Sequence, residues 1–277
     1  MRKNKLLALG LAALMAASVA GCSTPSASVD DTKAAESGSD SSQRAAAGEK
    51  IFRYSNTADI ATIDPDKTNS VADATVSYHI YDGLYRNVQG ELQPATAESY
   101  EVSDDGLVYT FKLRQDTKWS DGQTVTAKDY EYGMKRLCDP AAACPASYLG
   151  AVLKNGAKVS EGELPVDELG VKALDDFTLE ITLENPADYF VSMTSMSAFM
   201  PVREDLVEKY GNEFGGSADK QVYNGPFVVS EYSNGKVELT KNPDYYDNEK
   251  ISLDGVEILT VADQTTAVSM FDAGELD

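Results

Sequence analysis

Three cysteines and one histidine limit the side-chain chemistry open to this 277-residue chain. Cys22 closes the run Val19-Ala20-Gly21-Cys22, where small residues meet a cysteine at the end of an apolar stretch. This looks like a bacterial lipobox, whose chemistry is diacylation of the thiol, with Cys22 becoming the mature N-terminus. The bland alternative is an ordinary secretory signal with an incidental cysteine. Cys138 and Cys144 then remain as an even pair. In an exported chain such a pair argues for a disulfide, worth ~2 kcal/mol for a short loop in the chain-entropy model, with small buried residues as the alternative. Metal binding is the weaker reading, because His79 is the sole histidine and no second cysteine pair is present. No Gly-rich phosphate loop, serine nucleophile elbow or catalytic Cys/His pair occurs, so the chain reads as a non-enzyme with no cofactor. A secreted hydrolase is the alternative from the catalytic classes, and the same observations disfavour it.

The segments that must carry these groups follow from composition. Residues 1–21 read as a lipoprotein signal peptide: Arg2, Lys3 and Lys5 precede an uncharged, mostly apolar run that is shorter than the ~20 residues of an ordinary membrane span. Residues 22–50 are rich in Ser, Ala, Asp and Gly and contain no aromatic side chain, which predicts a flexible tether. Two acyl chains on Cys22 would hold such a tether stably to the outer face of the cytoplasmic membrane. The folded part begins near Ile51 and runs over 51–277. A formal charge of −21 excludes nucleic acid as a partner class, because phosphate binding needs a basic patch.

The most organised stretch is 107–137. Tyr109, Phe111 and Leu113 alternate with Thr110 and Lys112, the period of a half-buried strand. Trp119-Ser120-Asp121-Gly122 supplies turn chemistry around the only tryptophan. Thr126 and Asp129 then form a capping box, and Tyr130, Met134 and Leu137 make one apolar stripe on the helix that follows. Together with Lys112-Leu113-Arg114 and Thr126-Ala127-Lys128-Asp129, this unit resembles the signature of the family-5 extracellular solute-binding proteins, the oligopeptide-binding proteins of ABC importers. Trp119, Ser120, Asp121, Gly122 and Asp129 are read as a fold marker, not as ligand contacts.

Further motifs extend the resemblance. Ile63-Asp64-Pro65 followed by a helix ending in Tyr81-Asp82-Gly83-Leu84 is similar to the family's L-D-P and E-G-L. The loop after L-D-P approaches the bound peptide's backbone in those proteins, which implies Asn69, Ser70 and Val71 as ligand contacts here. Arg136-Leu137-Cys138-Asp139-Pro140 resembles R-L-A-D-P. The following Cys144-Pro145-Ala146-Ser147-Tyr148-Leu149 departs from the family, being one residue shorter and lacking the first Tyr, so that wall of the pocket is not carried over to Tyr148. Asn224-Gly225-Pro226 and Asn242-Pro243-Asp244-Tyr245-Tyr246 match motifs near the inter-lobe cleft and add Asn224 and Gly225 as candidates.

What the resemblance implies is an α/β, periplasmic-binding-protein-like (type II) fold of mixed sheets with helices. It covers about half of a family chain, so the expectation is the first lobe and adjoining subdomain with the second lobe missing, and weak peptide binding at this length. The implied function is capture of extracellular oligopeptides for an ABC importer, with its permease subunits and the membrane as partners. Nickel chelates, sugars or dipeptides are the alternative cargo.

Local patterns fill in the remaining elements. A strand over 51–55, a helix over 74–85 and a hairpin over 171–183 are expected, with helices over 186–193 and 203–210. Another hairpin spans 227–241 through Ser233-Asn234-Gly235, then come a strand over 256–261 and a helix over 265–271. His79 is expected on a helix flank, partly exposed.

Overall fold

The structure is a computed structural model that describes residues 48–277. The expected signal peptide, Cys22 as expected acyl acceptor and the expected tether up to residue 47 lie outside the described residues. Ten strands are described: β1 (Ile51–Asn56), β2 (Tyr85–Val88), β3 (Glu91–Pro94), β4 (Ala97–Val102), β5 (Val108–Leu113), β6 (Val171–Asp175), β7 (Thr178–Thr182), β8 (Phe227–Ser233), β9 (Lys236–Lys241) and β10 (Gly255–Thr260). The α-helices are α1 (Val71–Ile80), α2 (Ala127–Cys138), α3 (Gly156–Ser160), α4 (Phe190–Met193), α5 (Glu204–Tyr210) and α6 (Gln264–Asp272).

The strands form two four-stranded sheets and a hairpin. One sheet has the order β1-β10-β9-β8, with β1 and β10 parallel and the other pairs antiparallel. Its parallel pair joins strands some 200 positions apart in the chain, Ile51 facing Gly255, so this sheet cannot be read from local pattern alone. The second sheet, β4-β5-β7-β6, is antiparallel throughout, and β2-β3 is a separate hairpin. Among the described residues no helix is long and apolar enough to cross a membrane.

The alternation read in 107–113 is realised: Tyr109, Phe111 and Leu113 are buried and Lys112 is exposed. Leu179 and Ile181 of β7 turn to the same core, and the stripe Tyr130, Met134 and Leu137 of α2 is fully buried against it. Each such side chain contributes on the order of 1.5–3 kcal/mol of transfer free energy. The Thr126–Asp129 capping box is present. The carboxylate of Asp129 accepts from the Thr126 backbone at 2.7 Å, the Thr126 hydroxyl at 3.0 Å and the Trp119 indole at 3.4 Å.

Two local expectations need correction. The helix expected over 74–85 runs over Val71–Ile80, because Ser70 caps it, its hydroxyl accepting from Asp73 N at 3.1 Å, and Tyr81 is already extended. Only Phe190–Met193 of the expected 186–193 helix is helical; Phe190 N closes a turn onto Ala187 O at 3.0 Å. His79 stands on α1 and is partly exposed, as expected; its ring lies between Tyr54 and Phe227, with centroids 6.1 and 6.2 Å away, and partial burial holds its pKa below the usual histidine value.

Cys138 and Cys144 carry a further correction. Both are buried and both are free thiols, so the expected disulfide is not formed in this structure. The two side chains have separate surroundings. Cys138 Sγ lies where a Cβ on Gly150 would stand, only 2.2 Å from that point, whereas Cys144 Sγ donates to Arg136 O at 3.5 Å. Burial pushes the Cys138 thiol up to about 11 and the Cys144 thiol up to about 12.

Candidate ligand-binding site

Two buried polar clusters determine where the site candidates stand. The first is centred on Asp82, just beyond α1. Its backbone N–H donates to Asn224 Oδ1 at 3.0 Å, and Asn224 Nδ2 returns a bond to Asp82 O at 3.0 Å. The same carbonyl accepts from the Tyr130 hydroxyl of α2 at 3.0 Å. On the side chain, Tyr245 Oη donates to Oδ2 at 2.7 Å, and Arg86 Nε donates to Oδ1 at 3.0 Å with Nη2 beside it. Burial, reinforced by the Asp82 charge, holds the Tyr245 phenol above the ordinary tyrosine range.

Asn224 and Gly225 therefore stand inside the protein. Asn224 is fully buried, and both ends of its amide are engaged by the main chain of Asp82. Gly225 N donates to Ile80 O at 2.9 Å, and a Cβ on it would come within 2.5 Å of the Ile80 carbonyl carbon. Only glycine permits that approach. Asn242 Nδ2 then donates to Gly225 O at 2.8 Å. The motifs around 82, 130, 224 and 242–245, scattered over the sequence, thus converge on one buried junction between α1, α2 and the start of β8.

The second cluster holds the loop before α1. Arg136 Nη1 and Nη2 clasp the two oxygens of Asp64 at 2.8 and 2.6 Å, and Nη1 also donates to Asp66 Oδ2 at 2.8 Å. The Arg136 guanidinium also lies 5.4 Å from the centroid of the Phe214 ring. Thr68 adds a hydroxyl contact to Ser197 at 2.9 Å. Anchored on both, the chain emerges at Asn69, which is exposed, Ser70, half-buried, and Val71, 85% exposed. Of the five candidates, these three are the ones at the surface, at the N-terminus of a helix whose first N–H groups lack intrahelical partners.

The face continues along α1. Val71, Thr75 and Tyr78 fall at i, i+4 and i+7, and Tyr78 is half exposed. Tyr78 lines a groove of ≈ 440 Å³ with Arg86, Asn87, Ser192, Ser195 and Met196. Met196 also belongs to a second groove of ≈ 550 Å³, bordered by Tyr148, Leu149, Tyr189 and Met193. Tyr148 and Tyr189 are largely exposed there. Tyr78, Tyr189 and Met196 were not singled out from the sequence. Exposure of one flank of α1 was the only signal, and it needed the packed structure.

The Trp119 unit is engaged within the fold. Trp119 is buried, Ser120 N donates to Tyr223 O at 2.8 Å, Asp121 pairs with Arg203 at 2.9 Å, and Gly122 has φ +86°. This ties the turn to the segment before β8 that carries Asn224. Among the described residues no group of three or more His, Cys, Asp or Glu could hold a metal ion.

Comparison with known proteins decides the family. Residues 91–277 match the family described as bacterial extracellular solute-binding proteins, family 5 Middle. The chain belongs to that family. It is 38% identical over 235 residues to the probable deoxycholate-binding periplasmic protein YgiS of Escherichia coli K12, covering 83% of this chain and 44% of the relative. It is 35% identical over 280 residues to the periplasmic oligopeptide-binding protein OppA of Salmonella typhimurium, covering 99% and 48%. Among solved structures, the substrate-binding domain of a Bacillus anthracis oligopeptide ABC transporter superposes with a TM-score of 0.81 at 37% identity, covering 83% of this chain and 45% of that one. Listeria monocytogenes OppA bound to peptide superposes with a TM-score of 0.80 at 35% identity, covering 83% and 46%. The chain spans about half the length of the curated relatives it matches, and over that span it has the mixed α/β architecture of these family-5 binding proteins.

Proposed function

We propose that this protein is the cargo-capturing component of an ABC importer for oligopeptides, held at the outer face of the cytoplasmic membrane by lipid on Cys22. The observation that carries the reading is the presentation of Asn69, Ser70 and Val71 at the surface by a rigid buried anchor, in a family whose relatives include peptide-bound proteins. A loop fixed from behind and free in front offers its main chain to an extended peptide with little ordering cost at the moment of binding. The grooves beside it are lined by tyrosine, methionine and serine side chains, which fit peptide side chains of varied kind better than one fixed charge. Asn224 and Gly225 contribute by holding the end of α1 in place, and permease subunits of the importer are the partners.

A second reading rests on the relative named for deoxycholate and on the groove at Tyr148, Tyr189, Met193 and Met196, which would also suit an amphipathic steroid. Calorimetric titration separates the two. Tri- to pentapeptides and, in parallel, deoxycholate are titrated into the protein up to millimolar concentration. Saturable heat with peptides supports peptide capture. Saturable heat with deoxycholate alone, or none with any peptide, overturns it.

A further inference from the structure

The cluster that anchors the candidate ligand loop holds more negative than positive charge. Arg136 gives Asp64 a forked, two-oxygen interaction, while Asp66 receives a single bond on Oδ2, from the second N–H of Nη1. Asp66 Oδ1 is buried with no hydrogen-bond donor in reach. Lys67 does not supply one, because its ammonium is directed to the carbonyls of Ala142 and Ala143. Around Asp66 the titratable groups are Asp64 and Lys67 on its own loop, Tyr81 after α1, Tyr132, Arg136 and Cys138 on α2, and Cys144 beyond it. With both carboxylates ionised and buried, Arg136 is the one buried cation that balances them, half-buried Lys67 adding its charge from the groove side, and the unpaired Asp66 oxygen is a costly arrangement.

We propose that Asp66 is a proton-binding site that sets how firmly the loop carrying Asn69, Ser70 and Val71 is held, so that the loop is tighter in mildly acidic than in alkaline surroundings. The link from loop to cargo rests on the peptide-capture reading above; the proton site itself does not. A proton taken from solvent onto Asp66 leaves the forked Arg136–Asp64 pair as a neutral unit, with the orphaned oxygen no longer carrying charge. Loss of that proton restores the repulsion between Asp64 and Asp66 two residues before Thr68, where the chain turns toward Asn69.

Burial pushes the Asp66 carboxyl up to about 7, with Arg136 opposing the shift and Asp64 adding to it. The sign follows from linkage. The folded value lies above the unfolded one of about 3.9, so the hold is full below that pH and is lost as pH rises through about 7. One proton limits the change to about tenfold in the loop-opening equilibrium per pH unit.

Hydrogen exchange across 62–72, corrected for intrinsic rates, is compared in the protein and in Asp66→Asn between pH 5.5 and 8.5. The loop of the unsubstituted protein should open more as pH rises, by up to about tenfold per unit, while the asparagine variant stays flat. Parallel profiles would overturn the proposal. A carbon-13 titration of the aspartate carboxyls in the unsubstituted protein tests the same point without any variant: one midpoint near 7 is expected, and all midpoints below about 5 would refute it. Peptide affinity measured over the same range distinguishes the two readings. If opening titrates and affinity does not, the proton site stands and the assignment of this loop to the cargo falls.

Discussion

Replacing Asn224 with alanine tests whether that residue belongs to the cleft or to the framework. The side chain is fully buried and makes two bonds to the main chain of Asp82, each 3.0 Å long. Truncation leaves the Asp82 N–H orphaned, at a cost of about 1–3 kcal/mol, and removes a second bond worth about 1 kcal/mol; the Asp82 carbonyl keeps its Tyr130 partner. The expected loss is therefore about 2–4 kcal/mol, a sizeable part of the 5–15 kcal/mol typical of a folded domain. Urea unfolding followed by fluorescence of Trp119, the only tryptophan and itself buried, should show the midpoint falling by about 1 M with an unchanged slope. Asn224→Asp keeps the shape but turns a carboxylate oxygen toward the Asp82 carbonyl, and should lose at least as much. The reasoning is wrong if the alanine variant unfolds within about 0.2 M of the parent and loses peptide affinity instead, the behaviour of a cleft contact.

Two further outcomes are expected. Thiol counts on Cys138 and Cys144 should be the same before and after reduction, and in the native protein both should react slowly at pH 8, because burial raises each thiol well above that pH. A gain of two thiols on reduction would restore the disulfide. Cys22→Ser should abolish fatty-acid labelling and release the protein from the membrane fraction; a variant that stays processed and membrane-bound would refute lipid anchoring through Cys22.

Much of the fold was legible because it is written at short range. The period-2 run at Tyr109, Phe111 and Leu113, the 3.6-period stripe of α2, the Thr126–Asp129 box and the Asn234-Gly235 turn each depend on neighbours a few residues away, and each is realised. The boundaries of α1 were misjudged because the hydroxyl of Ser70 outweighed the weak periodic signal on that helix. What the pattern could not supply was partnership at long range. Asp64 and Arg136 were visible as motif residues, but nothing local says that they meet across 72 positions, or that Asp66 joins them with an oxygen unpaired. The burial of Asn224, read as a cleft candidate, is hidden from local pattern for the same reason. An Asn-Gly-Pro bend near a cleft looks exposed until the main chain of Asp82, 142 positions earlier, is found against its amide. The cysteine pair was read from counting and compartment, and neither carries the geometry that separates the two sulfurs.

The central claim is that cargo meets the loop at Asn69, Ser70 and Val71 while Asn224 and Gly225 act only as framework. Amide chemical shifts followed during titration with a tetrapeptide test it most directly. The account predicts saturable shifts concentrated at residues 69–71 and along the exposed flank of α1 at Thr75 and Tyr78, with Asn224, Gly225 and Asp82 unmoved. Shifts centred on Asn224 and Gly225, with the 69–71 amides unchanged, would contradict it.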